Sequence, residues 1–256
     1  MKLIYAAVLT VMAASLPMAG NVAKANTVTL YQGSYSFSVG GEFTAVSSDY
    51  SSATLISDGY VAGVTEGTVG GVSGGFQTFC IETGVDFSPG TPYSYSLGQT
   101  SQPLTGGGTG SDQALSAGAA YLYYEFATGN LAGYNYANSG TGSSRKADAG
   151  LLQAAIWYLQ GLQTYGGYDT PTTSNDPFYA LALNNANSSY TNFVDVLQMW
   201  TTMDNNGAYS GAAQNQLVLT STHPNPNPSV PDGGMTVVLL GGALVGLQTL
   251  RRKLSC

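Results

Sequence analysis

The sequence predicts an α+β fold: a β-rich N-terminal part, a three-helix segment, then closing C-terminal strands. Three features predict it. From Asn26 to about Leu97, apolar and polar residues alternate with period two and are broken by glycine-rich turns. From Ala114 the period becomes helical. Strand-like runs return over 193–199 and 216–220. Strands and helices are segregated and do not alternate, which does not fit a doubly wound sheet.

The elements follow in order. Alternation marks strands at 27–31 and 35–39, with Gly40-Gly41 as a break and a further strand at 42–46. Residues 60–75 read as irregular strands and turns. A strand over 77–81 ends at Glu82 and carries Cys80. Ser88-Pro89-Gly90-Thr91-Pro92 turns the chain into a strand at 93–97, and 101–110 is a loop. Ala114, Leu115, Gly118, Ala119, Leu122, Tyr123 and Phe126 share one helical face, with Ser111 or Asp112 as cap. After a Gly, Asn and Tyr loop at 130–144, Asp148 caps a second helix. Its stripe is Leu152, Ala155, Ile156 and Leu159, and Gly161 stops it. Asp176-Pro177 starts a third helix that runs to about Asn187.

Composition narrows the class. The chain has 256 residues, 43% hydrophobic, enough for one domain with a core. Only 8% are charged, against about a quarter in ordinary soluble domains, while Gly (34) and Tyr (18) are frequent. That is the composition of an extracellular β-rich protein. Between 26 and 230, thirteen acids face two bases, Arg145 and Lys146. So acidic a body has no nucleic-acid or anionic-lipid partner, and its charge serves solubility.

Both ends read as addresses. Residues 1–25 form a signal peptide: Lys2, an apolar run, then the small-x-small site Ala23-Lys24-Ala25. The body spans 26–222, and 223–229 is a Pro/Asn spacer. Val230-Pro231-Asp232-Gly233-Gly234 follows, then an apolar run at 235–250 and the basic cluster Arg251-Arg252-Lys253. The run is a little short for a stable span, and the basic cluster belongs on the cytoplasmic side. This tripartite end resembles the PEP-CTERM class of bacterial sorting tails, in its Val-Pro-Asp-x-Gly variant. The resemblance implies processing by an exosortase-type enzyme and transient inner-membrane insertion through 235–250. It also implies a Gram-negative host and a final place at the cell surface or in the extracellular matrix. Cys256 would be lost with the tail, leaving Cys80 as the one cysteine of the exported body, with no partner for an internal disulfide.

Two short segments carry the chemistry. Phe79-Cys80-Ile81 is similar to the aromatic-Cys-Ile segment of the thioester domains on Gram-positive surface adhesins. Gln153-Ala154-Ala155-Ile156-Trp157 resembles their Gln-x-Ala-Ile-Trp segment. The resemblance implies that Cys80 is the thiol donor and Gln153 the acyl donor of an internal thioester. Such a bond captures surface amines or hydroxyls once, without turnover. Strand alternation turns Phe79 and Ile81 away from Cys80. Helical spacing puts Ile156 and Trp157 on the Gln153 face. The family usually has Thr before the Gln, where this chain has Leu152.

Plainer readings stand beside this one. Cys80 can be a small core hydrophobe or a thiol for intermolecular disulfides, and Gln153 an amphipathic edge residue. The only histidine, His223, lies in the spacer, so the body has no Ser-His-Asp, Cys-His or usual zinc site. Glu82 and Asp86 are read as solvated or turn residues before a glycosidase pair. Arg145-Lys146 is read as a solvated loop. Asp169, Asn175 and Asp176 could offer oxygens to Ca²⁺, though without an EF-hand pattern. No cofactor is expected. A passive matrix protein that holds exopolysaccharide through tyrosine faces is the alternative function.

Overall fold

A computed structural model describes residues 26–65, 67–100, 113–137, 143–162, 167–204 and 208–220. The expected signal peptide, the spacer, the sorting signal 230–256 with Cys256, the 101–110 loop and the expected caps Ser111 and Asp112 lie outside the described residues.

The first hairpin sets the register. Strand β1 (Thr27–Phe37) turns through Ser38 and Val39 into β2 (Gly40–Val46), pairing Phe37 with Gly40 and Thr29 with Val46. Ser38 takes a left-handed φ of 52°, as a two-residue hairpin turn requires. A short helix α1 (Ser52–Ser57) interrupts a stretch expected to be all strand. Ser51 caps it, accepting from the Thr54 N–H. A small ribbon, β3 (Thr68–Val69) with β4 (Val72–Ser73), leads to β5 (Phe76–Thr78), and β6 (Pro92–Gly98) follows.

Helices α2 (Ala117–Ala127), α3 (Ser143–Leu159) and α4 (Pro177–Asn185) come next, then a 3-10 turn at Ser188–Asn192. Strands β7 (Val194–Met203) and β8 (Tyr209–Leu219) close the chain. The main sheet is antiparallel, in the order β5-β2-β1-β6-β7-β8. Its two edges meet: β5 pairs with β2, and the residues just after β5 bond to β8. Closure removes the exposed edges that an open sheet would present. Helix α3 packs across β1 and β2.

Two helix starts differ from the sequence expectation. Helix α2 begins at Ala117, capped by Ser116, whose Oγ accepts from the Ala119 N–H at 3.1 Å. Ser116 is held by Gln160, whose Oε1 accepts its N–H at 2.6 Å. Helix α3 begins at Ser143, so Asp148 is an interior residue and not its cap. Asp148 instead accepts the Asn135 N–H at 2.9 Å. The reason is Arg145. It is no solvated loop residue but is fully buried, paired with buried Glu42 of β2, and it draws the first turn of α3 into the core. Asp176 caps α4 ahead of Pro177, as its sequence predicts.

Candidate functional site

The site lies where the sheet closes. Cys80 sits two residues past the end of β5, not inside it as the alternation suggested. Thr78 Oγ1 donates to the Leu217 carbonyl at 2.6 Å. Leu217 N–H donates to Phe79 O, and Ile81 N–H to Asn215 O, each at 3.1 Å. Cys80 therefore faces Gln216 in an antiparallel bridge whose hydrogen bonds are made by its neighbours. In such a pair the residue's own N–H and C=O point away from the paired strand.

Gln153 of α3 meets them. Cys80 N–H donates to Gln153 Oε1 at 3.1 Å, and Gln153 Nε2 donates to the Cys80 carbonyl at 2.8 Å. Both residues have zero exposure. The carboxamide thus completes the backbone of Cys80 as one residue of a further strand would. The Gln153 side chain thus meets the backbone of a residue 73 positions away in the chain, the other member of the pair that the sequence singled out.

The neighbours divide between two clusters. Phe79 and Ile81 enter the large core, where Phe79 meets Phe126 edge-on at 5.0 Å. Cys80 turns the other way, into a smaller cluster with Phe43 and Trp157, flanked by Phe87, Leu162 and Tyr168. Ile156 packs in the large core, while Trp157 joins the smaller cluster around Cys80. Leu152 is also a core residue there. Gly40 makes the approach possible. A methyl group on it would lie 2.8 Å from Gln153 Cγ, 2.9 Å from the Trp157 ring and 2.9 Å from the Tyr168 hydroxyl. Tyr168 stands edge-on to Trp157 at 5.2 Å and donates its hydroxyl to the Phe37 carbonyl.

Burial raises the Cys80 thiol pKa, Glu82 and Asp86 add to the rise, and a Gln216 hydrogen bond works against it. The thiol therefore stays protonated. Glu82 is not solvated: it is 6% exposed and accepts from Asn215 N–H at 3.2 Å and Asn215 Nδ2 at 2.9 Å. Burial lifts its pKa to about 7, against the opposing bonds from Asn215. Asp86 is exposed, so the two do not share one buried pocket. Among the described residues no cluster of three or more His, Cys, Asp or Glu is placed to hold a metal. Asn175 Oδ1 is engaged by Thr172, and Asp176 Oδ1 by the first turn of α4.

Sequence reasoning found the Cys80–Gln153 pair but missed Gly40, Phe43, Tyr168 and Gln216. Gly40 was visible only as a hairpin break, and nothing local tied the other three to Cys80.

Residues 229–254 match the VPDSG-CTERM motif. The match contains Val230, Pro231, Asp232, Gly233, Gly234, Arg251, Arg252 and Lys253, with Gly233 where the motif's name has Ser. It marks an exported protein of the cell surface or matrix and is consistent with exosortase-type processing. No curated protein and no solved structure matches the chain. No helix among the described residues is long and apolar enough to cross a membrane, and the apolar run 235–250 lies outside them.

Proposed function

We propose that this exported protein carries an internal thioester between Cys80 and Gln153, for one-time covalent attachment at the surface or in the matrix. The observation that supports it is the carboxamide seated on the backbone of Cys80 itself. Cys80 Sγ would add to Gln153 Cδ. The C–N bond would then break, and the amide nitrogen would leave as ammonia with the thiol proton. A buried, protonated thiol supplies that proton directly. Negative charge would develop on Oε1, which already accepts the Cys80 N–H, an oxyanion donor in place. Fixed contact replaces the entropic cost that makes the reaction negligible in water. Trp157, Phe43 and Tyr168 would shield the product from hydrolysis. An amine or hydroxyl on a protein or polysaccharide would displace the thiol and leave an amide or ester on residue 153.

Intact mass tests this. The purified wild-type protein should be lighter than its encoded mass by one ammonia. Methylamine should add to residue 153 and free the Cys80 thiol, and Cys80→Ala should abolish both effects. A full encoded mass, with Gln153 unmodified in peptide maps, would overturn the proposal.

A second reading has its own support. The two Gln153 bonds satisfy backbone groups of Cys80 that no strand reaches, a role that needs no reaction. The protein would then be a passive exopolysaccharide-binding matrix component. In that case Cys80→Ala would leave both mass behaviour and attachment unchanged.

A further inference from the structure

A second feature lies on a neighbouring face of α3. A cavity of about 270 Å³ opens between this helix and the segment 167–176. Its walls are mostly apolar, with Phe37, Leu151, Ala154, Tyr168 and Pro171 around Asp176. Gly150 also lines it, and a methyl group there would strike the Phe37 ring at 2.9 Å. The absence of a side chain there lets the Phe37 ring lie against the helix and form one wall.

Asp176 is 2% exposed. Its Oδ1 caps α4, accepting from Phe178 N–H and Tyr179 N–H at 3.0 Å each. Its Oδ2 is buried and has no hydrogen-bond partner. A carboxylate oxygen withdrawn from water without a donor is costly, and the group that best restores it is a cation that also donates. Among the described residues no basic side chain lines the cavity, and exposed Asp169 adds acid to its lining. The rings of Phe37 and Tyr168, with centroids 5.2 Å apart and planes inclined at 60°, both line it, and aromatic rings attract a positive charge. A single bare oxygen suits a compact ammonium. A guanidinium fork would need two acceptors. The apolar walls suit an aliphatic stem.

We propose that this cavity binds a primary ammonium group on an aliphatic chain, of the lysine side-chain type, presented by a partner surface. The site shares Tyr168 with the surroundings of Cys80 but does not depend on the Cys80–Gln153 contact becoming covalent. It gives an acidic exported body a reversible hold on cationic partners.

The test titrates the purified Cys80→Ala protein, which cannot capture amines covalently, with Nα-acetyl-lysine methylamide and its uncharged norleucine counterpart. Saturable binding of the lysine probe is expected, with amide NMR shifts at Gly150 and Asp176. Asp176→Asn keeps an acceptor for the helix cap but removes the charge. It should weaken the lysine probe at least about tenfold while leaving the norleucine probe unchanged. Ala147→Phe, at an exposed position on the cavity rim, should weaken the lysine probe without threatening the fold. Equal affinity for both probes, an Asp176→Asn protein that binds lysine like its parent, or no saturable binding would overturn the proposal. Binding of a neutral sugar in its place, dependent on Asp176, would do so as well.

Discussion

At the scale of single residues, the candidate site depends on what is missing at position 40. Gln153, Trp157 and Tyr168 all approach the space where a Gly40 side chain would be. In Gly40→Ala the added methyl must displace the carboxamide or the rings. A cost of about 1–3 kcal/mol is expected from overpacking. Urea unfolding should measure that loss, and the ammonia-loss fraction in intact mass should fall with it. An Ala variant with wild-type stability and full mass shift would show that the carboxamide does not need this close approach. Cys80 shows the same dependence on neighbours. Its N–H and C=O are free for Gln153 only because Phe79 and Ile81 make the bonds to β8.

At the scale of elements, α3 carries the acyl candidate, and Arg145 anchors its first turn. Arg145 Nε donates to Glu42 Oε2 at 2.9 Å, and its Nη2 donates to Glu42 Oε1. Further bonds go to the carbonyls of Tyr136 at 2.7 Å and Gly63 at 2.8 Å, and the guanidinium lies 4.4 Å from the Tyr35 ring centroid. Tyr134 donates its hydroxyl to Glu42 Oε2 at 2.7 Å. Arg145→Met leaves Glu42 buried without its counter-charge, and a loss of about 3–5 kcal/mol is expected. Pairing it with Glu42→Leu should recover much of that loss. A double variant no more stable than Arg145→Met would show that the pair contributes more than mutual neutralisation. The helix thus starts at Ser143 because its first turn has an ionic partner on β2, which local propensity around Asp148 does not reveal.

At the scale of the whole molecule, pH should act through buried carboxyls. Glu82 is lifted to about 7 and Asp176 to about 6, both by burial above all. The folded state then holds these protons more tightly than the unfolded chain does. Stability from this source is present at low pH and is lost as pH rises through the folded values. The body should therefore be more stable, and melt at a higher temperature, at pH 5 than at pH 8, with Glu82 contributing on the order of 2 kcal/mol to the difference in stability. Relief of the repulsion among its many acids has the same sign. Glu82→Gln should flatten the profile. Melting that is higher at pH 8 in the wild type would refute the assignment. The closed sheet matters here too, since the buried carboxylate of Glu82 is held by Asn215 of β8, across the seam.

The sequence alone determined the α+β composition of the body, the address at its C-terminus and the two residues worth watching. Each of these is a local signal: period-two and helical alternation, an ordered three-part tail, and a lone cysteine with a glutamine in an apolar helical run. The tertiary structure decided that the sheet's edges meet, that Arg145 and Glu82 are buried, that Ile156 faces the large core, and that Asp176 lines a cavity and keeps a buried oxygen without a hydrogen-bond partner. Those facts arise between elements distant in the chain. No neighbour-to-neighbour pattern encodes them, because hydrogen-bond satisfaction and close packing are settled only when the whole chain has folded.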